Sequence, residues 1–537
     1  MATHGTAEQF AEYLRSGYHR EAGQTPYFFS ADDARLITVD LSGLDAGGKV
    51  LARRAMSAWE SAVDVSFQET SGRAKLSFID NASGAWAQTE YWSDGTVNKA
   101  VVNVSADWVA RYGTSVDSYS YRTYLHEIGH VLGLGHTANY GDEASAHDAH
   151  YDNDSWQMSV MSYLGQDQNP NVSASRAVNV TPMEADLIAL RALYGASEKG
   201  STAGNTVWGR NSNLDTPLGE MFRAMEQSNA ESYKGDEGFT FYLEDEGGRD
   251  LIDFAHDTRG QSVDLRGGRA SSLLGEVENM LIARDTVIEQ YRAGSGHDKV
   301  SGNGANNKIW GNEGDDKLIG RGGNDRLLGQ QGDDHLRGGG GKDRLFGGGG
   351  DDVLKGGSHN DLLKGHSGAD RLYGQNGRDT LKGGGGNDLL KGGNKQDTLK
   401  GGSGDDQLEG QSHRDRLYGQ KGDDRLFGGK GNDRLDGGQG NDLLAGGEHS
   451  DLMTGGWGAD RFVFDAGEDR ITDHATGVDR IQFDLSEIAG AENMSLQDLR
   501  ELAREVDGDV AFDFGSGNRL LVENQTLAGV TSDLDII

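Results

Sequence analysis

The sequence predicts a multidomain α+β chain, with an N-terminal α/β half followed by an all-β parallel β-roll. Three observations predict it. From Gly294 the chain repeats with a period of nine residues, the mark of a repeat architecture. Before residue 195, apolar residues recur at helical spacing in some stretches and alternate in others, as in a mixed α/β fold. The chain has 537 residues, too many for one hydrophobic core, and 83 glycines against 4 prolines, a composition of repeated tight turns.

The elements follow in order. Residues 1–25 are polar and weakly patterned, expected to be a flexible N-terminus or a short removable propeptide. A first globular domain is expected over 26–195. In it Leu51, Ala55, Ala58, Trp59 and Ala62 recur at helical spacing, predicting an amphipathic helix over 46–62. Residues 74–80 read as a strand with Leu76 and Phe78 on one side, and 99–105 as a strand with Val102 and Val104 inward. The second is the expected edge strand, on which an extended peptide could pair. Thr181, Pro182 and Glu184 have the cap, first-position proline and capping-box spacing of a helix start. Ile188, Leu190, Leu193 and Tyr194 continue that helix, and Gly195 ends it. Residues 196–205 are small and polar and read as a linker. Residues 206–293 read as the irregular β-rich start of the roll, with a strand at Phe239 to Leu243 and a forerunner of the repeat at Gly247 to Phe254. The roll itself spans 294–471, and 472–537 form a C-terminal cap.

The eleven residues HEIGHVLGLGH, His126 to His136, carry the strongest chemical signal. On a helix, His126 and His130 lie on one face, one turn apart. Glu127 points elsewhere, free to take a proton from a metal-bound water. Gly133 can end the helix in a left-handed conformation. His136 can then close a three-histidine site with an open fourth position, which is what a catalytic zinc ion requires. Leu125, Ile128 and Leu132 supply a buried face that would explain a helix without a metal. The placed glycine, the third histidine and the later SVMSY segment favour one zinc ion. In that segment Met161 would lie under the metal as an apolar floor, and Tyr163 could reach it. A second polar group, His147, Asp148, His150, Asp152 and Asp154, reads as a solvated loop.

Composition excludes several classes. There are no cysteines, so no disulfide and no thiolate metal site. The net charge of −35 opposes nucleic-acid binding. No apolar run is long enough to span a membrane, and Met1 to Phe10 lacks the basic start and apolar core of a cleaved signal peptide.

In the repeats, a carboxylate recurs every ninth residue. The series is Asp298, Asp316, Asp325, Asp334, Asp343, Asp352, Asp361, Asp370, Asp379, Asp388, Asp397, Asp406, Asp415, Asp424, Asp433, Asp442, Asp451 and Asp460, continuing to Asp469, with Asn307 the one exception. An apolar residue follows two positions after each, from Val300 to Ile471. Two nonamers make one 18-residue coil, and stacked coils make a parallel β-roll. Carboxylates on coils about 5 Å apart repel by about 3 kcal/mol at an effective dielectric of 20. Such a ladder calls for bound cations, and multiple calcium ions suit it: hard, oxygen-seeking and tolerant of irregular coordination. The two edges differ. On the Asp298 edge the residue two before each aspartate is always glycine. On the other edge it becomes His359, Lys395, His413 and His449, and Lys342, Arg378 and Arg414 directly precede aspartates. An ordered ion file is expected on the first edge and a broken one on the second.

HEIGHVLGLGH, the SVMSY turn, the closing TPMEADLIALRALYG and the nonamers together resemble the serralysin-type secreted metalloproteases, members of the metzincins with a C-terminal RTX roll. The resemblance covers residues 25 to 480. It implies a zinc endopeptidase domain over 26–195 acting on proteins and peptides. It implies that His126, His130 and His136 ligate zinc, that Glu127 is the general base, and that Tyr163 is a displaceable fifth ligand that also stabilises the oxyanion. Met161 becomes the Met-turn residue. The resemblance also implies a monomer that leaves the cell through a type I secretion apparatus, read from a C-terminal signal. The chain ends DLDII where the family pattern has an acidic residue and three apolar ones, a partial match. The array is also longer than the family pattern. Two other readings stay open: a calcium-dependent adhesin with a vestigial protease domain, and a carbohydrate-modifying enzyme, since a roll by itself does not specify function.

Overall fold

A computed structural model describes residues 3–140, 144–197, 202–227, 238–488 and 491–537. Of the expected linker, residues 198–201 lie outside the described residues, as do residues 1–2 of the N-terminal stretch. The chain divides into two compact units, Met1–Gln290 and Tyr291–Ile537.

The first unit is built on a five-stranded sheet of β1 (Ile37–Gly43), β2 (Phe67–Glu69), β3 (Leu76–Ile79), β4 (Ala85–Tyr91) and β5 (Val97–Val104), in the order β2-β1-β3-β5-β4. All neighbours are parallel except β4, which returns antiparallel along β5 with Ala87 opposite Val102. The residues expected at the edge therefore sit inside the sheet. Val102 and Val104 are fully buried, and β4 takes the edge because it folds back onto β5 and saturates its free side. The sequence AWAQTEY has no clean alternation, and its side chains are partly buried or exposed throughout.

The helix Ala46–Ala62 forms where its periodicity predicts. Asp45 caps it, accepting from the Gly48 N–H at 2.7 Å. Leu51, Ala55 and Trp59 are buried, and the Trp59 indole donates to the Leu125 carbonyl of the histidine helix at 3.2 Å. The helix that closes the sequence-predicted domain spans Glu184–Tyr194, two residues inside the expected start. Its cap is made from within: the Asp186 carboxylate accepts from the Met183 N–H at 2.9 Å. The Thr181 hydroxyl instead accepts from the Tyr242 N–H at 2.8 Å, so it serves the strand Phe239–Leu243. A charged acceptor is the stronger partner for a helix N-terminus.

Residues 3–25, weakly patterned in sequence, pack into this unit. Ala7–Glu12 is helical behind a Thr6–Gln9 capping box, and Phe10 and Leu14 are fully buried. The Leu14 carbonyl accepts from the Gly135 N–H at 2.7 Å, and His19 donates to the Gly133 carbonyl at 3.1 Å. Both bonds hold the loop that carries His136.

In the second unit each residue pairs with the one eighteen positions on, Leu318 with Leu336 and Leu327 with Leu345. Successive six-residue strands alternate between two parallel sheets. Their apolar residues, Leu318 through Leu444, lie at 0–2 % exposure in a narrow core. Beyond residue 471, Asn518–Val522 pairs with Glu468–Ile471, and Phe464, Phe483, Phe512 and Phe514 pack ring to ring over the end of that core. Such a cap covers the edges that an open roll would expose.

The core is one residue wide per nonamer, so it has little room to relax. Leu390→Ala is expected to destabilise the calcium-loaded protein by about 2–5 kcal/mol. Lys382→Ala, on the exposed face of a neighbouring strand, should stay within about 0.5 kcal/mol. Denaturant unfolding of the two variants at saturating calcium checks the contrast.

Candidate metal centre

The histidine helix spans Tyr119–Val131 and is capped by Ser118, whose hydroxyl accepts from the Tyr121 N–H at 3.1 Å. Leu125 and Ile128 fill its buried side, and His126 and His130 stand together on the other. Gly129 lies between them. A Cβ there would fall 2.6 Å from the Met161 sulfur and 3.5 Å from the Trp59 ring, so glycine is what lets methionine lie against the helix. Gly133 ends the helix at φ +106, with its Cα face pressed on the Tyr27 carbonyl. The chain then turns back to present His136.

The ligand atoms of His126, His130 and His136 all lie within 4.8 Å of one another, and the Nε2 atoms of His130 and His136 are 2.9 Å apart. His126 donates its Nδ1–H to the Val160 carbonyl at 2.9 Å, and His130 donates its own to the Leu134 carbonyl at 2.8 Å. These bonds place the free lone pair on Nε2. Burial holds all three imidazoles neutral, that of His130 down to about 4. Neutral nitrogens with lone pairs turned on one another repel unless a cation lies between them. Three nitrogens with a fourth side open fit zinc.

Glu127 is buried beside them, and burial pushes its carboxyl up to about 8 against the opposing pull of the Arg122 guanidinium. Tyr163 is 45 % exposed, with its ring centroid 4.4 Å from that of His136 and 5.6 Å from that of His126. Burial of its hydroxyl and the nearby Glu127 push the phenol up to about 12, so it keeps its proton.

Two residues that sequence reading passed over hold the turn around Met161. Arg122, one turn before His126, is buried and donates to the Val160 carbonyl at 3.1 Å and the Ser162 carbonyl at 2.7 Å. Its guanidinium lies 4.2 Å over the Trp156 ring. Asp186 accepts from the Ser159 hydroxyl at 2.5 Å and the Val160 N–H at 2.9 Å while capping its own helix. An arginine four residues before His126, on the face of the histidines, was a readable signal. Asp186 left none.

The polar group at 147–154 is not uniformly solvated. Asp154 is fully buried and accepts from the hydroxyls of Thr137, at 2.8 Å, and Tyr140. It anchors the residue after His136. His150 stacks on Tyr13 with centroids 4.1 Å apart. Elsewhere in this unit Asp245 and Asp250 are buried as neighbours, and burial and mutual repulsion push Asp245 up to about 7.

In the roll, the predicted aspartates from Asp298 to Asp460 lie between 0 % and 4 % exposure. From Asp316 on, one oxygen of each accepts an N–H from the preceding coil, as Asp334 Oδ1 does from the Asp316 N–H at 2.8 Å. The other oxygen, from Asp316 through Asp451, has no protein partner. Burial, with neighbouring carboxylates, raises Asp352 and Asp406 to about 8. Buried carboxylate oxygens without donors, stacked coil on coil, fit a hard cation such as calcium. Asn307 breaks the series with an amide that donates to Asn303 Oδ1 at 3.1 Å.

Residues 54–189 match the metallo-peptidase family M12B reprolysin-like domain. Overlapping segments from 292 to 471 match the RTX calcium-binding nonapeptide repeat. The metallopeptidase AprA of Pseudomonas marginalis is 31 % identical over 277 residues, covering 49 % of this chain and 56 % of that protein. A serralysin of Photorhabdus laumondii is 30 % identical over 280 residues, covering 50 % and 55 %. Serralysin C of Dickeya chrysanthemi is 35 % identical over 185 residues, covering 34 % and 36 %. The chain spans about half the length of the first two relatives. A crystal structure of the extracellular lipase LipA of Serratia marcescens covers 61 % of this chain and 49 % of its own at 15 % identity, with a TM-score of 0.15, too low to bear on the fold. Among the described residues, no helix is long and apolar enough to cross a membrane.

Two substitutions test the support of the site. Gly129→Ala raises helix propensity by about 1 kcal/mol, yet it should lower the melting temperature and speed zinc loss on dialysis, because Met161 must move. Asp186→Asn should cost about 1–3 kcal/mol by urea unfolding, since an amide cannot accept all three donors.

Proposed function

We propose that this chain is a secreted zinc endopeptidase whose C-terminal roll is stabilised by calcium. The observation that carries the reading is the convergence of three neutral imidazoles, His126 buried and His130 and His136 half-buried, beside a buried glutamate with raised proton affinity. His126, His130 and His136 would hold the zinc. When bound, zinc supplies a Lewis acid for the scissile carbonyl and lowers the pKa of a coordinated water.

The chain's own residues supply the rest. Glu127 takes the proton from the attacking water and returns it to the leaving amine; a raised pKa suits both transfers. Tyr163, protonated at the rim, donates its hydroxyl to the developing oxyanion. Met161 is not a ligand: it packs under the histidines through the gap at Gly129. An extended substrate pairs with β4, the antiparallel edge strand packed against the histidine helix, so protein and peptide substrates are read through their backbones. Extracellular proteins are the substrates and calcium is the structural partner of the roll. Export through a type I apparatus and a monomeric state belong to the same reading.

Glu127→Ala tests it. Casein digestion should fall by about 10²–10⁴-fold, while zinc content and the circular dichroism spectrum stay those of the parent; digestion at the parent rate would overturn the reading. Chelation alone does not assign the metals, because EDTA strips both. After chelation, calcium alone should restore the roll's circular dichroism without proteolysis, and added zinc should then restore proteolysis.

A further inference from the structure

The two edges of the roll have the same carboxylate geometry. Asp334 N–H donates to Asp352 Oδ1 at 2.8 Å on one edge, and Asp343 N–H to Asp361 Oδ1 at 2.8 Å on the other. The second oxygen of each of these aspartates is buried and unpartnered. What differs is the turn around them.

On the Asp298 edge, glycine stands two residues before every aspartate, and from Gly314 to Gly458 it lies at positive φ: +117 at Gly332, +120 at Gly386 and +132 at Gly440. On the other edge, four residues with side chains occupy that position and keep the same backbone hand: His359 at φ +82, Lys395 at +76, His413 at +80 and His449 at +94. L side chains rarely adopt this region, histidine less rarely than lysine. Side chains at positive φ occur on both edges four residues before the aspartate, as at Gln330 and Gln375, but two residues before it the four fall on one edge and none on the other.

The charges segregate with them. On the first edge an outer row of carboxylates stands beside the inner one: Asp315, Asp333, Asp351, Asp405 and Asp423. The row is ordered, with the Asp333 N–H donating to Asp315 Oδ1 at 2.9 Å and the Asp423 N–H to Asp405 Oδ1 at 2.9 Å. These outer carboxylates press further negative charge on Asp334, Asp352 and Asp424. At the matching places the second edge has Lys342, Arg378 and Arg414 among uncharged residues, with a single carboxylate, Glu468, at its far end. There the Lys395 ammonium relieves Asp379. The imidazoles also occupy turn carbonyls: His359 donates to the Ser358 oxygen at 2.9 Å and His449 to the Glu448 oxygen at 2.8 Å. The second edge opens on Asn307, which has no charge to offer.

We propose that calcium loads the two edges unequally. The edge from Asp298 to Asp460 binds a continuous file of ions. On the edge from Asp325 to Asp469, the side chains of His359, Lys395, His413 and His449 interrupt the file, and the Lys395 ammonium stands in for part of the missing positive charge. The roll then has one edge whose order depends on calcium and one that is partly self-compensated. This rests on the calcium reading of the repeats.

The test counts ions. The full chain, stripped and reloaded with calcium chloride alone, is compared by elemental analysis with a variant carrying His359→Gly, Lys395→Gly, His413→Gly and His449→Gly. Glycine is at home at these φ values, so the variant should fold; Lys395→Gly alone is the milder form. The variant should bind several more calcium ions per chain than the parent, and Lys395→Gly about one more. In a calcium-loaded crystal of the parent, occupancy should be full along the Asp298 edge and reduced beside the four substituted turns. Equal occupancy on both edges, with no rise in the variant, overturns the inference and leaves the calcium reading intact. No calcium in either protein overturns both.

Discussion

Buried acceptors facing one another with no donor between them organise both units of this chain. In the first unit the acceptors are imidazole nitrogens, those of His126 and His130 turned inward because the other nitrogen is tied to a backbone carbonyl. In the second they are carboxylate oxygens, one per nonamer, each left over after its partner oxygen has accepted an amide from the coil before. Leaving such groups unmatched in a protein interior is costly. The surrounding fold is what keeps them from turning away, and a cation is what makes the arrangement favourable. Metal affinity here is therefore a property of backbone hydrogen bonding as much as of the ligand side chains.

That view explains why so much of the first unit is spent on bracing. The histidine helix supplies two of the three clustered imidazoles and, one turn earlier, the arginine that grips the carbonyls of the turn beneath them. The same turn is held from the far side by Asp186, which also starts the closing helix. The third histidine sits on a loop pinned at Gly133 by His19, at Gly135 by Leu14 and at Thr137 by Asp154. No brace serves a single ligand in isolation: moving Met161 would disturb Gly129, and through it both helical histidines.

Periodic features were legible in the sequence. The helix over 46–62 falls on the residues its apolar spacing marks, and the phase of the nonamers carries straight into the coil pairing of Leu318 with Leu336. The histidine spacing and Gly133 were legible for the same reason: each is a local geometric requirement. What stayed hidden was fixed by partners far along the chain. Arg122 reaches forty residues to Ser162. Asp154 looked like part of a solvated loop because its donors, Thr137 and Tyr140, lie across a turn. The edge of the sheet was misplaced because β4 is an unpatterned segment whose strand state comes from pairing with β5. The start of the helix at Glu184 shifted because a carboxylate with three donors outweighed a local hydroxyl.

The roll shows why its repeat must couple an apolar residue to an acid. One buried leucine per nonamer is a thin core, and ordering nine residues of a glycine-rich chain carries a large conformational cost. Apolar burial alone therefore leaves the roll short of stability, and widening the core would require longer strands and lose the tight turns. Placing the aspartate two residues before the leucine puts the charge at the turn and the apolar group on the strand, so the residue that would hold an ion sits beside the leucine pair that fixes the strand register.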